Sequence, residues 1–173
     1  MQSIDQRRVA GQRAAVRIFL VRTGLCIDTG PEAHRHLTAT GRQVTRAVSR
    51  RIKHELEALD VTMDAILTAP LMASVQTAEL FAEGVDHLGV VESMHLLLQG
   101  VPAHVAAEKL LSRDEGVLAI VGDEPALAGL GAFLTRARTF PPHLCSQVSL
   151  IDEGRAAWTF RPDLMERRPV LLA

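Results

Sequence analysis

The sequence predicts a three-layer αβα domain with a mostly parallel sheet, and three observations carry that reading. Two apolar runs, residues 16–21 and 116–122, stop abruptly at a polar or glycine-containing loop, as buried parallel strands do. Segments of helical period follow the strands in the order β, α, β, α, β, α, β, α, ββ, the alternation of a sheet covered on both faces. Aromatic residues make up only 3% of the 173, with no Tyr and one Trp, so the core must come from Leu, Val, Ile and Ala.

Val16-Arg17-Ile18-Phe19-Leu20-Val21-Arg22-Thr23-Gly24 is the first strand with its exit loop. Ligands of open α/β sheets sit beyond the carboxyl ends of the strands, which puts Arg22, Thr23 and Gly24 at a candidate pocket. Residues 25–35, with Asp28, Gly30 and Pro31, show neither strand nor helix period and read as a loop at the pocket mouth. A helix follows, with Thr38 or Thr40 as N-cap and Val44, Val48, Ile52, Leu56 and Leu59 as its apolar stripe. Its other face carries Arg42, Arg46, Arg50, Arg51 and Lys53 with no acid before Glu55. A solvated face is the simpler reading of that run; docking of a phosphorylated or acidic partner is the other.

Residues 63–68 form a second strand ended by Ala69-Pro70, and Pro70 starts a helix over 71–83 closed by Gly84, with Val75, Ala78 and Phe81 or Ala82 inward. A short strand near 89–92, a loop over 94–101 and a helix over 102–111 lead to the strand at 116–122. Asp123-Glu124-Pro125 opens a helix reaching to about residue 138, the second place where a strand end meets a helix start. Residues 145–151 and 155–160, around Asp152-Glu153-Gly154, read as a β-hairpin at the sheet edge, and the tail from Arg161 as irregular.

The length suits one domain over residues 15–173 behind a flexible extension, residues 1–14. A formal net charge of −1 argues against nucleic acid and anionic membranes as partners. No apolar stretch approaches the roughly 20 residues of a membrane span, and the basic N-terminus lacks the apolar core of a signal peptide. Cys26 and Cys145 have no metal-ligand spacing and read as reduced thiols, so a cytoplasmic protein without cofactor or metal is expected, of undetermined oligomeric state.

Four motifs at these strand and helix boundaries resemble the histidine phosphatase superfamily, of phosphoglycerate-mutase-like fold, and within it the SixA-type phosphohistidine phosphatases. Leu20-Val21-Arg22-Thr23-Gly24 stands against L-V-R-H-G, and Leu37-Thr38-Ala39-Thr40-Gly41 against L-T-x-x-G. Residues 68–77, T-A-P-L-M-A-S-V-Q-T, stand against S-S-P-x-x-R-A-x-Q-T, and Val121-Gly122-Asp123-Glu124-Pro125 against V-x-H-x-P. The resemblance spans residues 16–160.

What it implies is phosphoryl transfer through a phosphohistidine, with a nucleophilic His, a second His and two Arg clamping the phosphate. This chain retains Arg22 and Gly24, but the nucleophile position is Thr23, the second Arg is Ala73 and the second His is Asp123, so no catalytic set is intact. The matching stretch for the family's acid, residues 94–100, offers His95 and no carboxylate. A phosphothreonine would be a stable ester, and a carboxylate about 4 Å from a phosphate dianion repels it by several kcal/mol at an effective dielectric near 20.

The expectation is therefore an inactive pseudophosphatase with a binding or regulatory role. Arg22, Thr23, Gly24, Asp123 and Glu124 line its remodelled pocket, and Arg22 salt-bridges Asp123 across the old phosphate site. The alternative is altered hydrolytic chemistry at Thr23, Asp123 and Glu124, with or without a cation, against the simpler role of two acids at a helix N-terminus. His34, His36 and Cys26 are candidates for a site elsewhere, and His54, His87, His104 and His143 read as surface or helix-end residues.

Overall fold

The computed structural model describes residues 16–172, so the extension expected over residues 1–14 lies outside the described residues. Each predicted strand and helix is present: β1 (Arg17–Arg22), α1 (Ala39–Ala58), β2 (Ala65–Thr68), α2 (Met72–Gly84), β3 (Val91–Ser93), α3 (Ala103–Leu111), β4 (Val117–Gly122), α4 (Ala126–Thr135), β5 (Val148–Asp152) and β6 (Arg155–Arg161). Short 3-10 turns occupy Glu32–His34 and His95–Leu97, inside the two segments read as loops.

The strands lie side by side in the order β3-β2-β4-β1-β5-β6-β7, where β7 is Glu166–Arg168. The first four run parallel; β5 adds antiparallel to β1, and β6 pairs back on β5. The tail expected to be irregular contributes the outermost strand, β7 (Glu166–Arg168), antiparallel to β6. Its side chains are all exposed and charged, Glu-Arg-Arg, so no apolar alternation marks it as a strand. Charged residues also protect a sheet edge from pairing with another chain. The β5–β6 turn places Glu153 at φ 51° and Gly154 at φ 75°, the left-handed pair that matches the twist of a tight hairpin.

Alternate residues of the central strands feed two cores, which makes the domain three-layered. Phe19, Val21, Ile66, Ala119 and Val121 pack on Val48, Ile52 and Leu56 of α1 and on Ala78 and Phe81 of α2. Ile18, Leu20, Leu67, Leu118 and Ile120 face the other way, onto Ala107 and Leu110 of α3 and Leu127 and Leu130 of α4. On α2 the inward face is set by Ala73, Ser74, Thr77, Ala78, Phe81 and Ala82, whereas Val75, expected inside, is half-exposed. No helix among the described residues is long and apolar enough to cross a membrane.

β1 and β4 are neighbours, and the helices that follow them leave to opposite faces of the sheet, α1 to one and α4 to the other. That divergence is the switch point at which α/β folds open a crevice. Since Arg22 is paired with Gly122 in the parallel register, Thr23 and Asp123 emerge side by side at its floor.

The return from the mouth loop to α1 depends on Gly41. The Leu25 carbonyl accepts hydrogen bonds from the Thr38 N–H at 2.9 Å and the Thr38 hydroxyl at 3.2 Å. Thr38 also caps α1, accepting the Gly41 N–H at 2.9 Å. A Cβ on Gly41 would lie 2.1 Å from that same carbonyl oxygen, a backbone atom that cannot step aside. Gly41→Ala is expected to destabilise the domain by about 2 kcal/mol, read as a lower urea midpoint at unchanged slope.

Candidate functional site

Beyond the ends of β1 and β4, four polar side chains meet. The Arg22 Nε–H donates to Asp123 Oδ1 at 3.1 Å, the ion pair expected from the sequence. Both side chains are about a fifth exposed, 21% and 22%. The Thr23 hydroxyl donates to the Gly122 carbonyl at 3.0 Å and shares a 2.8 Å hydrogen bond with the Ser74 hydroxyl. Ser74 in turn reaches Asp123 Oδ2 at 3.5 Å.

Burial pushes the Asp123 carboxyl above its ordinary value, and this outweighs the pull of Arg22 and the hydroxyl hydrogen bonds of Thr23 and Ser74; Glu32 adds a further upward push. The pair is therefore held by the fold at an electrostatic cost, as desolvated ion pairs commonly are.

The loops around this cluster are tied down by hydrogen bonds from α2 and from the entry to β5. The Gly24 N–H donates to the Thr77 hydroxyl at 3.0 Å, and Thr77 donates back to the Ala73 carbonyl at 2.7 Å. Gln76 receives the Leu37 N–H at 2.8 Å, which anchors the mouth loop to α2. Ser146 and Gln147, at the entry to β5, close the far side through backbone hydrogen bonds to Arg22 and Thr23. Ala73 is buried at the first turn of α2 and brings no charge to the cluster.

Glu124, predicted to line the same pocket, belongs instead to a second network. Its carboxylate accepts from the Ala128 N–H at 2.9 Å, from the His143 N–H at 2.8 Å and from His143 Nδ1 at 2.8 Å. It thus serves the α4 N-terminus and a histidine, and none of its hydrogen bonds reaches Arg22 or Thr23. Burial alone would raise the Glu124 carboxyl, but the His143 side chain and the two backbone N–H donors hold it below the usual carboxylate range.

His143 is a correction to the sequence reading, which placed it at the surface. It is buried, stacked on Phe140 with ring centroids 5.7 Å apart, and its Nε2 meets the Ser149 hydroxyl at 2.9 Å. Ser149 and Gln147 both donate to the Thr159 hydroxyl, at 3.0 and 2.8 Å, and Thr159 donates to the Val148 carbonyl. The Glu124–His143–Ser149 line has the hydrogen-bond order of a catalytic triad, yet Ser149 is 1% exposed on a central strand, so no substrate can reach its hydroxyl. The sequence signal was thin: a histidine directly after Pro141-Pro142, with no periodicity to say which way it points.

The other candidates do not assemble. His34 and His36 are exposed at the mouth, and no group of three metal-ligating side chains occurs among the described residues. Cys26 is half-buried; burial, then the Asp123 and Cys145 charges, push its thiol up, which makes it a poorer nucleophile than a free cysteine. His95 sits in the 3-10 turn after β3, His54 pairs with Glu57, and His104 lies against Phe133.

No family model matches the sequence, and no curated protein is recognisably similar to it in sequence. Solved structures are similar in shape. The protein histidine phosphatase SixA, determined with tungstate, superposes at a TM-score of 0.76, with 20% identity over 87% of this chain and 100% of that one. The fold is that of the histidine phosphatases. A phosphoglycerate mutase from Plasmodium falciparum (TM-score 0.59, 13% identity, 92% of this chain and 89% of that one) is a further structure with this histidine phosphatase fold. A mycobacterial glucosyl-3-phosphoglycerate phosphatase (TM-score 0.57, 12% identity, 91% and 98%) is another. Identities this low establish the shared fold alone.

Proposed function

We propose that this chain is a histidine phosphatase fold that has given up hydrolysis and acts as a binding or regulatory protein. The observation that carries the reading is the Arg22–Asp123 ion pair at 3.1 Å. An arginine that would clamp a phosphate is already neutralised by a carboxylate, and that carboxylate repels the anion it would have to admit. The surroundings support this. Thr23, Ser74 and Asp123 stand where the resembled motifs have His, Ala and His, and they satisfy one another through hydrogen bonds rather than leaving an open anion site.

Altered hydrolysis through Thr23 would pass through a phosphothreonine, a stable ester at which turnover stalls. The Thr23 hydroxyl donates to the Gly122 carbonyl at 3.0 Å, so an alkoxide formed there would face a carbonyl oxygen that repels its charge. Free Cys26 and Cys145 fit a reducing, cytoplasmic setting for such a protein.

Purified protein is expected to turn over neither an aryl phosphate nor a phosphohistidine peptide faster than its Arg22→Ala variant does. A rate that is present in the natural chain and absent from Arg22→Ala would overturn the proposal, because contaminating phosphatase is common to both preparations.

A further inference from the structure

α1 carries Arg42, Arg46, Arg50 and His54 at successive i, i+4 positions, flanked by Arg51 and Lys53. At 1.5 Å per residue this is a row of basic side chains stepping about 6 Å at a time over about 18 Å. Like charges at that spacing weaken a helix, and α1 supplies no acid before Glu55 to relieve them. Neighbouring elements neutralise only part of the row. Glu83 of α2 comes within 3.9 Å of Arg46, and Asp86 pairs with Lys53 at 2.5 Å. Among the described residues, no acid lies within ion-pair distance of Arg42, Arg50 or Arg51.

Arg46, Arg50, Lys53 and His54 form one wall of a groove of about 390 Å³ between α1 and α2, floored by Ser49, Leu80 and Gly84; Arg42 and Arg51 lie outside its lining. A Cβ on Gly84 would overlap Ser49, lying 1.9 Å from its hydroxyl oxygen, so the two helices meet backbone to side chain and the groove width is set by that contact. Outside the groove, Arg42 donates to the carbonyl of Leu37 at 2.6 Å, the same residue whose N–H Gln76 holds at the mouth of the site.

We infer that this groove docks an acidic α-helical segment of a partner protein, whose carboxylates at every fourth position meet Arg46 and Arg50. The inference deepens the reading of the chain as a binding protein and rests on it. A helix presents side chains at the same 6 Å repeat as α1, and a groove between two packed helices accepts a third. Glu83 and Asp86 on the opposite wall already answer Arg46, at 3.9 Å, and Lys53, so Arg50 is the groove arginine left for an incoming carboxylate and Arg46 the one only loosely held. A bilayer surface does not enter a concave groove without exposed aromatic anchors.

The test uses the full chain and a fluorescent helical peptide with Glu at every fourth position, followed by anisotropy at low and high salt. Salt-sensitive binding is expected, weakened about tenfold or more in Arg46→Glu/Arg50→Glu and unchanged in Arg138→Glu/Arg155→Glu, two exposed arginines elsewhere. Thermal melting verifies that each double variant is folded. Equal binding by the natural chain and Arg46→Glu/Arg50→Glu, or no binding by either, would overturn the inference. Tighter binding of a single-stranded oligonucleotide or of phosphatidylserine vesicles, lost in the same variant, would assign the groove to those instead and also overturn it. The peptide assay reads the α1–α2 face alone, so phosphatase turnover by the natural chain would sink the non-catalytic reading without touching the groove result.

Discussion

Asp123→Asn is expected to bind tungstate or phosphate at least about tenfold more tightly than the natural chain. At 4 Å and an effective dielectric near 20, a carboxylate repels each unit of anionic charge by about 4 kcal/mol, and it also occupies Arg22. Both side chains are about a fifth exposed, so solvent screening reduces this and an expectation of tenfold is conservative. Asn keeps an oxygen for the Arg22 hydrogen bond and turns its NH2 toward the Ser74 hydroxyl, which can accept, so the fold is protected while the charge is removed. Calorimetric titration with tungstate at neutral pH measures the gain.

Acidification of the natural chain should act in the same direction. Burial raises the Asp123 carboxyl, so in the folded protein it takes up its proton at a higher pH than it would in the unfolded chain. Oxyanion binding should therefore strengthen as the pH falls toward that value, and Asp123→Asn should lose this pH dependence. An Asn variant with no gain in affinity would show that shape rather than charge closes the site.

His143→Ala should cost about 3–4 kcal/mol in denaturant unfolding, the largest single effect on stability expected in this domain. The change removes a buried ring stacked on Phe140 and leaves a partner of Glu124 and of Ser149 unmet inside the fold. It also alters the acid limb of stability. Because Glu124 is depressed in the folded state, its contribution is fully present above the unfolded carboxyl value near about 4.3 and is lost as the pH falls through the lower folded value. Without the His143 side chain that depression shrinks, so stability should fall less steeply below about pH 4.3. Asp123 has the opposite sign: its raised carboxyl favours the folded state at low pH, a contribution lost as the pH rises through the folded value. Asp123→Asn should therefore steepen the acid limb that His143→Ala flattens. Parallel changes in the two variants would refute the separate assignment of these adjacent acids.

The architecture was legible because its signals are local. The apolar runs of β1 and β4 needed no partner to be read as buried strands, and the stripe of Val48, Ile52 and Leu56 announced the inward face of α1. The ion pair between Arg22 and Asp123 was legible too, since the motifs set both residues at the ends of adjacent strands and an unpaired charge there is unfavourable. β7 was missed because an exposed Glu-Arg-Arg edge has no burial pattern, and its strand character comes only from the hydrogen bonds β6 offers it.

The sequence by itself determined the αβα order and the position of the crevice, since each follows from residue type and chain spacing. Tertiary structure alone decided which polar groups answer one another. Asp123 and Glu124 are chain neighbours with the same chemistry, yet one carboxylate faces Arg22 and the other faces His143, 19 residues away. Ser74 completes the first network from α2 and Ser149 the second from β5. Such pairings depend on direction across packed elements, which no periodicity encodes, and burial fixes them because an unpartnered polar group inside the fold is costly.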